Sequence, residues 1–362
     1  MFDSIYKGRK VLITGHTGFK GSWLAAWLKM LGADVCGIAL EPETAPAHWN
    51  LLALDVKSVI CDIRDREKLQ KIFAEFQPET VFHLAAQPIV LRSYGIPVET
   101  FEINVMGTAN ILECCRNTPS VRAIVAVTSD KCYENREQTA GYTESDPMGG
   151  YDPYSASKGC SELVINSWRR SFFNVEDYGK KHHTLLASGR AGNVIGGGDW
   201  AANRLIPDIV KAAAEKKAVL IRNPRSTRPW QHVLEPLSGY LQLGAELFKG
   251  STNAAEAWNF GPDNSGIIDV GTAAKKMQEY WEDIELDFGT PPEQPHEAGL
   301  LHLNCEKAAK KLQWHGVLSA DEMFEFTATW YKEFYLNNKT VSFEQLEKYL
   351  HLAEERNLKW TE

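Results

Sequence analysis

The sequence lacks the features that mark membrane, nucleic-acid-binding or secreted proteins. No apolar run approaches the roughly 20 residues that a membrane-spanning helix needs. Positive charge is in deficit, since 39 Lys and Arg face 47 Asp and Glu for a net charge of -8. Such a surface repels phosphate groups, so neither nucleic acid nor an anionic membrane is an expected partner. The first residues carry no apolar stretch with a small-residue cleavage site, so no secretion signal is expected.

Cysteine is sparse and not arranged for cross-linking. Seven cysteines are spread over 362 residues without a Cys-x-x-Cys pair. An odd number in this pattern fits neither a disulfide framework nor a zinc site. The 44% of hydrophobic and 24% of charged residues are typical of a folded globular protein. We therefore expect a cytoplasmic protein with reduced thiols, no metal site and, from its length, about two domains.

Short β-branched runs alternate with amphipathic helical stretches along the first 195 residues. The runs predict strands at 11–14, 35–40, 59–61, 81–84, 123–128 and 184–187. Strict alternation predicts an α/β fold, a Rossmann-type doubly wound parallel sheet covered by helices on both faces. We expect residues 1–195 to form a dinucleotide domain to which 231–265 return. Residues 196–230 and 266–362 are then expected to form a smaller, mixed α/β, C-terminal substrate domain.

A glycine-rich segment follows the first predicted strand and precedes a predicted helix. Glycines in this position permit a tight turn and let the backbone approach a pyrophosphate, which the helix N-terminus then holds. The alternative is a purely structural turn between strand and helix. The predicted cofactor contacts in this segment are Gly15, Thr17, Gly18, Phe19, Lys20 and Gly21.

The residue after the second predicted strand indicates which dinucleotide is bound. Glu41 is placed to accept hydrogen bonds from the adenosine ribose and to repel a 2′-phosphate. No Lys or Arg lies between Lys29 and Lys57, so NAD is favoured over NADP. The alternative for Glu41 is a solvated loop carboxylate. Further cofactor contacts are expected at or after later strands, with Asp62 at the adenine: Asp62, Ile63, Leu84, Ala85, Ala86, Gln87 and Thr128.

A tyrosine and a lysine stand four residues apart in a later predicted helix. Tyr154 and Lys158 therefore share one helix face. A nearby ammonium favours the phenolate of a tyrosine, whose ordinary pKa is about 10. Such a tyrosine takes the proton of an alcohol while hydride leaves the same carbon for nicotinamide. By itself this spacing also fits a surface tyrosine lying over a lysine stem.

In this order the motifs resemble the extended short-chain dehydrogenase/reductases. The resemblance covers most of the first 195 residues and implies an NAD domain, a nucleotide-sugar domain, and a homodimer or homotetramer formed through paired helices. It also implies that Asn104, Tyr154 and Lys158 contact the cofactor. The matching motifs are Gly15-x-x-Gly18-x-x-Gly21, Asp62, Leu84-Ala85-Ala86, Asn104-Val105-x-Gly107-Thr108, Thr128-Ser129, Tyr154 with Lys158, and 190–193.

The segment after the fifth predicted strand resembles the nucleotide-sugar 4,6-dehydratases of this superfamily. Ser129-Asp130-Lys131 stands where better-known members carry Thr-Asp-Glu. The lysine, together with residues 228–240, is similar to the branch that acts on CDP-glucose. The resemblance implies that Ser129, Asp130, Lys131, Tyr154 and Lys158 are catalytic, with Asp130 as an acid at C6. Lys131 is either a neutral base at C5 or a charged group that stabilises the enolate, and the sequence leaves both open.

Candidate substrate contacts lie mostly beyond residue 190. A diphosphate needs local cations in an otherwise acidic protein, and Arg228 is the main candidate. His296 resembles a family element near the nucleotide, although Gln294-Pro295 stands where the family has an arginine. For the function of the whole chain, the alternatives to such a dehydratase are a nucleotide-sugar 4-epimerase, a dehydratase for another nucleoside diphosphate glucose, and a non-catalytic NAD sensor. The predicted substrate-binding residues are Ser129, Asn193, Arg204, Leu205, Ile221, Arg228 and His296.

Overall fold

A parallel sheet forms the centre of the computed structural model, which describes residues 1–289 and 300–362. Its strands are β1 (Lys10–Thr14), β2 (Asp34–Ala39), β3 (Lys57–Ile60), β4 (Thr80–His83), β5 (Ala123–Val127), β6 (Leu185–Ala191) and, after four short strands given below, β11 (Ala257–Phe260). In the described ranges the order is β3-β2-β1-β4-β5-β6-β11, with every pair parallel. The α/β, Rossmann-type fold is thereby confirmed.

Helices lie between these strands and after the last of them. They are α1 (Phe19–Met30), α2 (His48–Leu52), α3 (Arg66–Phe76), α4 (Val90–Gly95), α5 (Pro97–Phe101), α6 (Gly107–Arg116), α7 (Pro153–Ser171), α8 (Leu205–Ala214), α9 (Leu234–Phe248), α10 (Val270–Tyr280), α11 (Ala320–Asn337) and α12 (Ser342–Glu355). The single helix predicted over 97–116 is α5 and α6 joined by a π turn at Glu102–Met106.

The sheet buries apolar side chains on both faces, because successive residues of a strand point to opposite sides. Val11 and Ile13 of β1 pack into one core cluster, and Leu12 packs into the other. Strand β6 is longer than the predicted 184–187. Its second half, Ser188 to Arg190, is polar and so gave no apolar signal, yet it is paired with β5 and β11 and buried.

The rest of the chain forms short strand pairs and helices beyond one end of the sheet. The short strands are β7 (Val194–Ile195), β8 (Ala218–Leu220), β9 (Thr227–Pro229), β10 (Gln231–His232), β12 (Ile267–Asp269) and β13 (Glu285–Asp287). They pair as β7 with β10, β9 with β12, and β8 with β13. Helix α11 contributes Trp330 to the same core cluster as Trp23 of α1. The division into a dinucleotide domain and a substrate domain stays a prediction.

The strand order creates a crevice where a ligand can bind. After β1 the chain turns to β2 on one side, and β4 later joins β1 on the other. The connections that leave β1 and β4 therefore diverge at their carboxyl ends, which is where open α/β sheets bind ligands. No helix in the described ranges combines the length and apolar character needed to cross a bilayer.

Candidate active site

A cavity of about 1490 Å³ opens at the carboxyl ends of the central strands. It runs from the ends of β2 and β3, past those of β4 and β5, to the loops and helix that follow β7. Of the predicted site residues that the structure describes, all but Asn104 and Ile221 line it. His296 lies outside the described residues.

The glycine-rich turn brings backbone unusually close to backbone. Gly15 has a φ of +81°, and a Cβ there would lie 2.8 Å from the backbone nitrogen of Ala85. A Cβ on Gly21 would lie 2.1 Å from the carbonyl oxygen of Gly15. Helix α1 can therefore begin directly against the end of β1, with its first N–H groups directed into the cavity mouth. The hydroxyl of Thr17 donates to the carbonyl of Leu40 at 2.9 Å and ties this turn to the end of β2.

Charged pairs surround the end of the cavity predicted to hold adenosine. Glu41 lies exposed on its wall. The nearby Glu43 pairs with Arg92 of α4 at 2.8 Å, although sequence inspection found no local cation. The fold brings Arg92 there from 49 residues away.

The carboxylate of Asp62, the predicted adenine contact, is hydrogen-bonded within the protein. It accepts hydrogen bonds from the backbone and the side chain of Arg64, at 2.8 and 2.7 Å. The Arg64 guanidinium lowers the pKa of Asp62, so the carboxylate is held ionised. Ile63, the next residue, lines the cavity and also fills the space beside Gly107.

Asn104 does not line the cavity, which corrects its assignment as a cofactor contact. Its side chain is buried and makes two hydrogen bonds to the backbone of Gln87. It accepts from the Gln87 N–H at 2.8 Å and donates to the Gln87 carbonyl at 3.1 Å. It also donates to the hydroxyl of Ser157 on α7. Asn104 therefore fixes the loop after β4 to the helix that carries Tyr154.

The predicted catalytic side chains meet in one buried cluster. Ser129 caps a short 3-10 turn over Asp130–Cys132, accepting from the backbone N–H of Lys131 at 3.2 Å. The Ser129 hydroxyl donates to a carboxylate oxygen of Asp130 at 3.0 Å and is hydrogen-bonded to Tyr154. Lys158 lies one turn further along α7, as its spacing predicted. Lys131 is half-buried on the cavity wall.

The electrostatics of this cluster differ from the expectation for Tyr154. Burial raises its pKa to about 12, although its hydrogen bond with Ser129 opposes the rise. Burial also lowers the pKa of Lys158 to about 8. Desolvation therefore disfavours both charged forms in the protein by itself and outweighs the lowering that Lys158 was expected to cause.

Lys20 reaches further into the cluster than its place in the glycine-rich segment suggested. Burial, together with the positive charges of Lys158 and Arg204, lowers its pKa to about 7, while Asp130 opposes this. A lysine in the first turn of a helix stands at the positive end of the helix dipole, where a cation is unfavourable. This unfavourable placement of a cation at the start of α1 is the feature of the sequence that could have indicated a role for Lys20 beyond the turn.

Arginines line the cavity wall contributed by residues 196–230. Arg204 pairs with Asp199 at 2.9 Å, and Arg228 follows on β9. Sequence reasoning missed Arg222, which lines the same wall and pairs with Asp208 at 3.3 Å.

Ile221 was predicted to contact substrate, but it is fully buried in the core. Its neighbours Val219 and Leu220 line the cavity in its place, together with the predicted Asn193 and Leu205. The sequence showed an apolar strand here but not which of its residues face the cavity.

A parallel Rossmann-type sheet with a dinucleotide turn and a Ser-Asp-Lys turn beside Tyr154 and Lys158 defines a dehydrogenase-type sugar-nucleotide enzyme. Residues 12–327 match the family described as GDP-mannose 4,6 dehydratase, and the chain belongs to this family. It is 49% identical over 331 residues to the CDP-glucose 4,6-dehydratase of Salmonella typhimurium, covering 91% of this chain and 92% of that protein. The resemblance to the 4,6-dehydratases is thereby confirmed.

More distant relatives share the fold. The chain is 25% identical over 345 residues to the CDP-paratose 2-epimerase of Salmonella typhi, covering 88% of this chain and 99% of that protein. The structure of epimerase Mth375 from Methanothermobacter thermautotrophicus superposes with a TM-score of 0.80 at 24% identity, covering 96% of this chain and 97% of that one. The dTDP-glucose 4,6-dehydratase DesIV of Streptomyces venezuelae, solved with NAD and TYD bound, gives 0.74 at 22%, covering 90% and 97%.

Proposed function

We propose that this protein is an NAD-dependent CDP-glucose 4,6-dehydratase, a hydro-lyase that converts CDP-glucose to CDP-4-keto-6-deoxyglucose. The observation that carries the proposal is the 49% identity to a CDP-glucose 4,6-dehydratase over 91% of the chain. The buried Ser129-Asp130-Lys131 turn beside Tyr154 supplies the groups that this reaction needs.

The cavity fits NAD at its glycine-rich end. Gly15 and Gly21 leave no room for side chains where the turn holds a pyrophosphate, and Glu41 borders the ribose position. Bound there, NAD would supply the hydride acceptor for oxidation at C4 and the hydride for reduction at C6, and its oxidised ring would add a positive charge near the cluster. Glu41 also favours NAD over NADP, because its carboxylate on this wall would repel a 2′-phosphate.

Tyr154 serves the oxidation at C4 by taking the proton of the hydroxyl. Its phenol is hydrogen-bonded to Ser129, and this orients the oxygen toward the cavity. The amine of Lys158 lies on the same helix face, where its charge favours the phenolate as the proton moves.

The two residues that follow Ser129 serve the elimination of water. The resulting C4 ketone makes the C5 proton acidic, and the C6 hydroxyl must be protonated to leave as water. Asp130 is placed as the acid at C6, since its carboxyl group is buried and turned toward Gly192 at the cavity wall. Lys131 either removes the C5 proton or stabilises the enolate as a cation. An epimerase needs neither group, so this pair favours a dehydratase.

The arginine-lined wall is suited to the substrate diphosphate. Arg204, Arg222 and Arg228 supply local positive charge in a chain of net charge -8. Val219 and Leu220 add an apolar surface for the base and its ribose. The proposal includes the predicted nucleotide-sugar domain of residues 196–230 and 266–362, with His296 as a further predicted contact.

A cytoplasmic homodimer or homotetramer is part of the proposal. Large apolar side chains are exposed on the α5–α6 helical run and on α7, with Val98 70%, Met106 56% and Leu163 59% exposed. A second copy of the chain that paired these helices would bury them, as the family resemblance implies. Sedimentation of the purified protein tests this, and a monomer at micromolar concentration would contradict it.

The decisive test of the reaction is incubation of the purified protein with CDP-glucose. We expect a 4-keto-6-deoxy product, detected by its ultraviolet absorbance in alkali, and product formation at least about a hundredfold slower with Tyr154→Phe. Comparing kcat/KM for the CDP, dTDP, GDP and UDP derivatives of glucose then tests the base preference. Formation of a C4 epimer, or a preference for another base, would contradict the proposed function.

A further inference from the structure

A buried ion pair lies directly beneath the catalytic cluster. Glu162 of α7 and Arg190 of β6 are 2.8 Å apart, and their side chains are only 4% and 5% exposed. Burial opposes the ionisation of Glu162, but Arg190 and a set of hydrogen bonds lower its pKa to about 2. A buried pair offsets its own desolvation only when its remaining hydrogen-bonding groups are satisfied. Thr128, Ser188 and Tyr133 satisfy most of these groups here, whereas Nε of Arg190 has no hydrogen-bond partner among the described residues.

The pair holds the chain at the entrance to the catalytic turn. The hydroxyl of Thr128 donates to one carboxylate oxygen of Glu162 at 2.5 Å, and Ser188 donates to the other at 2.9 Å. Thr128 immediately precedes Ser129, which caps the turn. The start of the turn is thus attached to α7, one helical turn beyond Lys158.

The same pair holds the chain at the exit from the turn. Arg190 donates to the hydroxyl of Tyr133 at 2.6 Å, and Tyr133 donates in turn to Asn259 of β11 at 2.8 Å. Tyr133 is 1% exposed and follows directly after the turn. Asn259 also donates to the carbonyl of Asn304 at 3.1 Å. Both ends of the segment that carries Asp130 and Lys131 therefore converge on one ion pair.

We propose that Glu162 and Arg190 anchor the catalytic turn through Thr128 and Tyr133, and that Tyr133 is a positioning residue for the elimination step. The proposal rests on the proposed dehydratase function. Tyr154 and Lys158 lie on α7 itself, so C4 oxidation does not depend on where the turn exits. Asp130 and Lys131 lie on the turn itself. The positions of the groups that act at C5 and C6 therefore depend on where the turn exits.

The test is the variant Tyr133→Phe, which removes one hydroxyl and keeps the ring. A displacement of a reacting group by about 1 Å costs about a hundredfold in rate. We therefore expect product formation from CDP-glucose to fall by about a hundredfold. Reduced nicotinamide should still form on mixing and should accumulate, seen by its near-ultraviolet absorbance. Exchange of the C5 hydrogen with deuterated water should slow in parallel with product formation.

Tyr142→Phe is the matched control. Tyr142 stacks on Tyr133 with ring centroids 5.2 Å apart and is equally buried, but its hydroxyl bonds Asn135 and Arg136 instead of Arg190. We expect this variant to turn over within about twofold of the wild type. A loss of stability alone would affect both variants.

Thr128→Val tests the other end of the turn, and because Thr128 precedes Ser129, which is hydrogen-bonded to Tyr154, it should slow C4 oxidation as well as elimination. Asn259→Leu removes the group that accepts the Tyr133 hydroxyl and should show the same accumulation of reduced nicotinamide as Tyr133→Phe. It keeps the proposal testable if Tyr133→Phe does not fold. Turnover of Tyr133→Phe at the wild-type rate would overturn the positioning role, as would an equal slowing of C4 oxidation and elimination. A wild-type protein that forms no product from any glucosyl nucleotide would overturn the proposed function, and the positioning role with it.

Discussion

The substitution Gly21→Ala sets helix propensity against a steric overlap at the dinucleotide turn. Alanine stabilises a helix by about 1 kcal/mol relative to glycine, and Gly21 lies inside α1. The added Cβ, however, would lie 2.1 Å from the carbonyl oxygen and 2.7 Å from the carbonyl carbon of Gly15. Both atoms belong to the backbone, so no side-chain rotation relieves the contact.

The overlap therefore outweighs the propensity. Forcing an additional carbon into a packed site costs about 1–3 kcal/mol, and the backbone partner at Gly21 places this case in the upper part of that range. We expect a net loss of about 1–2 kcal/mol in the free energy of unfolding. Helix α1 must also move away from β1, which lengthens the hydrogen bonds from its N-terminus to a bound pyrophosphate. One such charge-assisted bond contributes about 1.5–3 kcal/mol, so NAD should bind about ten- to a hundredfold more weakly.

Calorimetric titration with NAD and unfolding in urea measure the two effects separately. Gly95→Ala is the control, because Gly95 ends α4 and a Cβ there meets no heavy atom within 4 Å. We expect the control to bind NAD normally and to be stabilised by up to about 1 kcal/mol. If Gly21→Ala bound NAD as tightly as the wild type and unfolded at the same urea concentration, the steric argument would be wrong.

Three further predictions concern single side chains. Tyr154→Phe should lower turnover by at least about a hundredfold while CDP-glucose still binds, because the phenol takes the C4 proton; equal loss of turnover and binding in calorimetry would contradict this. Lys131→Met should abolish release of the 4-keto-6-deoxy product with nucleotide-sugar binding still measurable, and normal turnover would remove Lys131 from the mechanism. Burial raises the pKa of Glu235 from 4.5 to about 7, against hydrogen bonds from the backbone of Val317 and Leu318. The contribution of Glu235 to the free energy of unfolding is therefore fully present below about pH 4.5. As the pH rises through 7, the free energy of unfolding falls by about 3 kcal/mol. Urea unfolding at pH 5 and pH 8 should show this loss in the wild type but not in Glu235→Gln, and identical pH dependence in both would contradict it.

Sequence reasoning succeeded where the signal was local. The glycine spacing at 15–21 and the interval between Tyr154 and Lys158 each describe one turn or one helix face, and those residues line the cavity as expected. It failed where side-chain direction decided the outcome. Ile221 and Asn104 are close in sequence to residues that line the cavity. The side chain of Ile221 nevertheless packs in the core, and that of Asn104 is hydrogen-bonded to Gln87.

The order of strands and helices and the dinucleotide turn were determined by the sequence alone, because periodicity and turn chemistry act over a few residues. The residues of the catalytic turn were also predicted from the sequence, but through the resemblance of Ser129-Asp130-Lys131 to the 4,6-dehydratases. Only the tertiary structure brought Arg92 to Glu43, Lys20 to Arg204, and Glu162 to both Arg190 and Thr128. These partners lie 28 to 184 residues apart along the chain. Their proximity follows from which strands lie side by side and from the burial that makes an unpaired charge costly, and neither property is written in a short stretch of sequence.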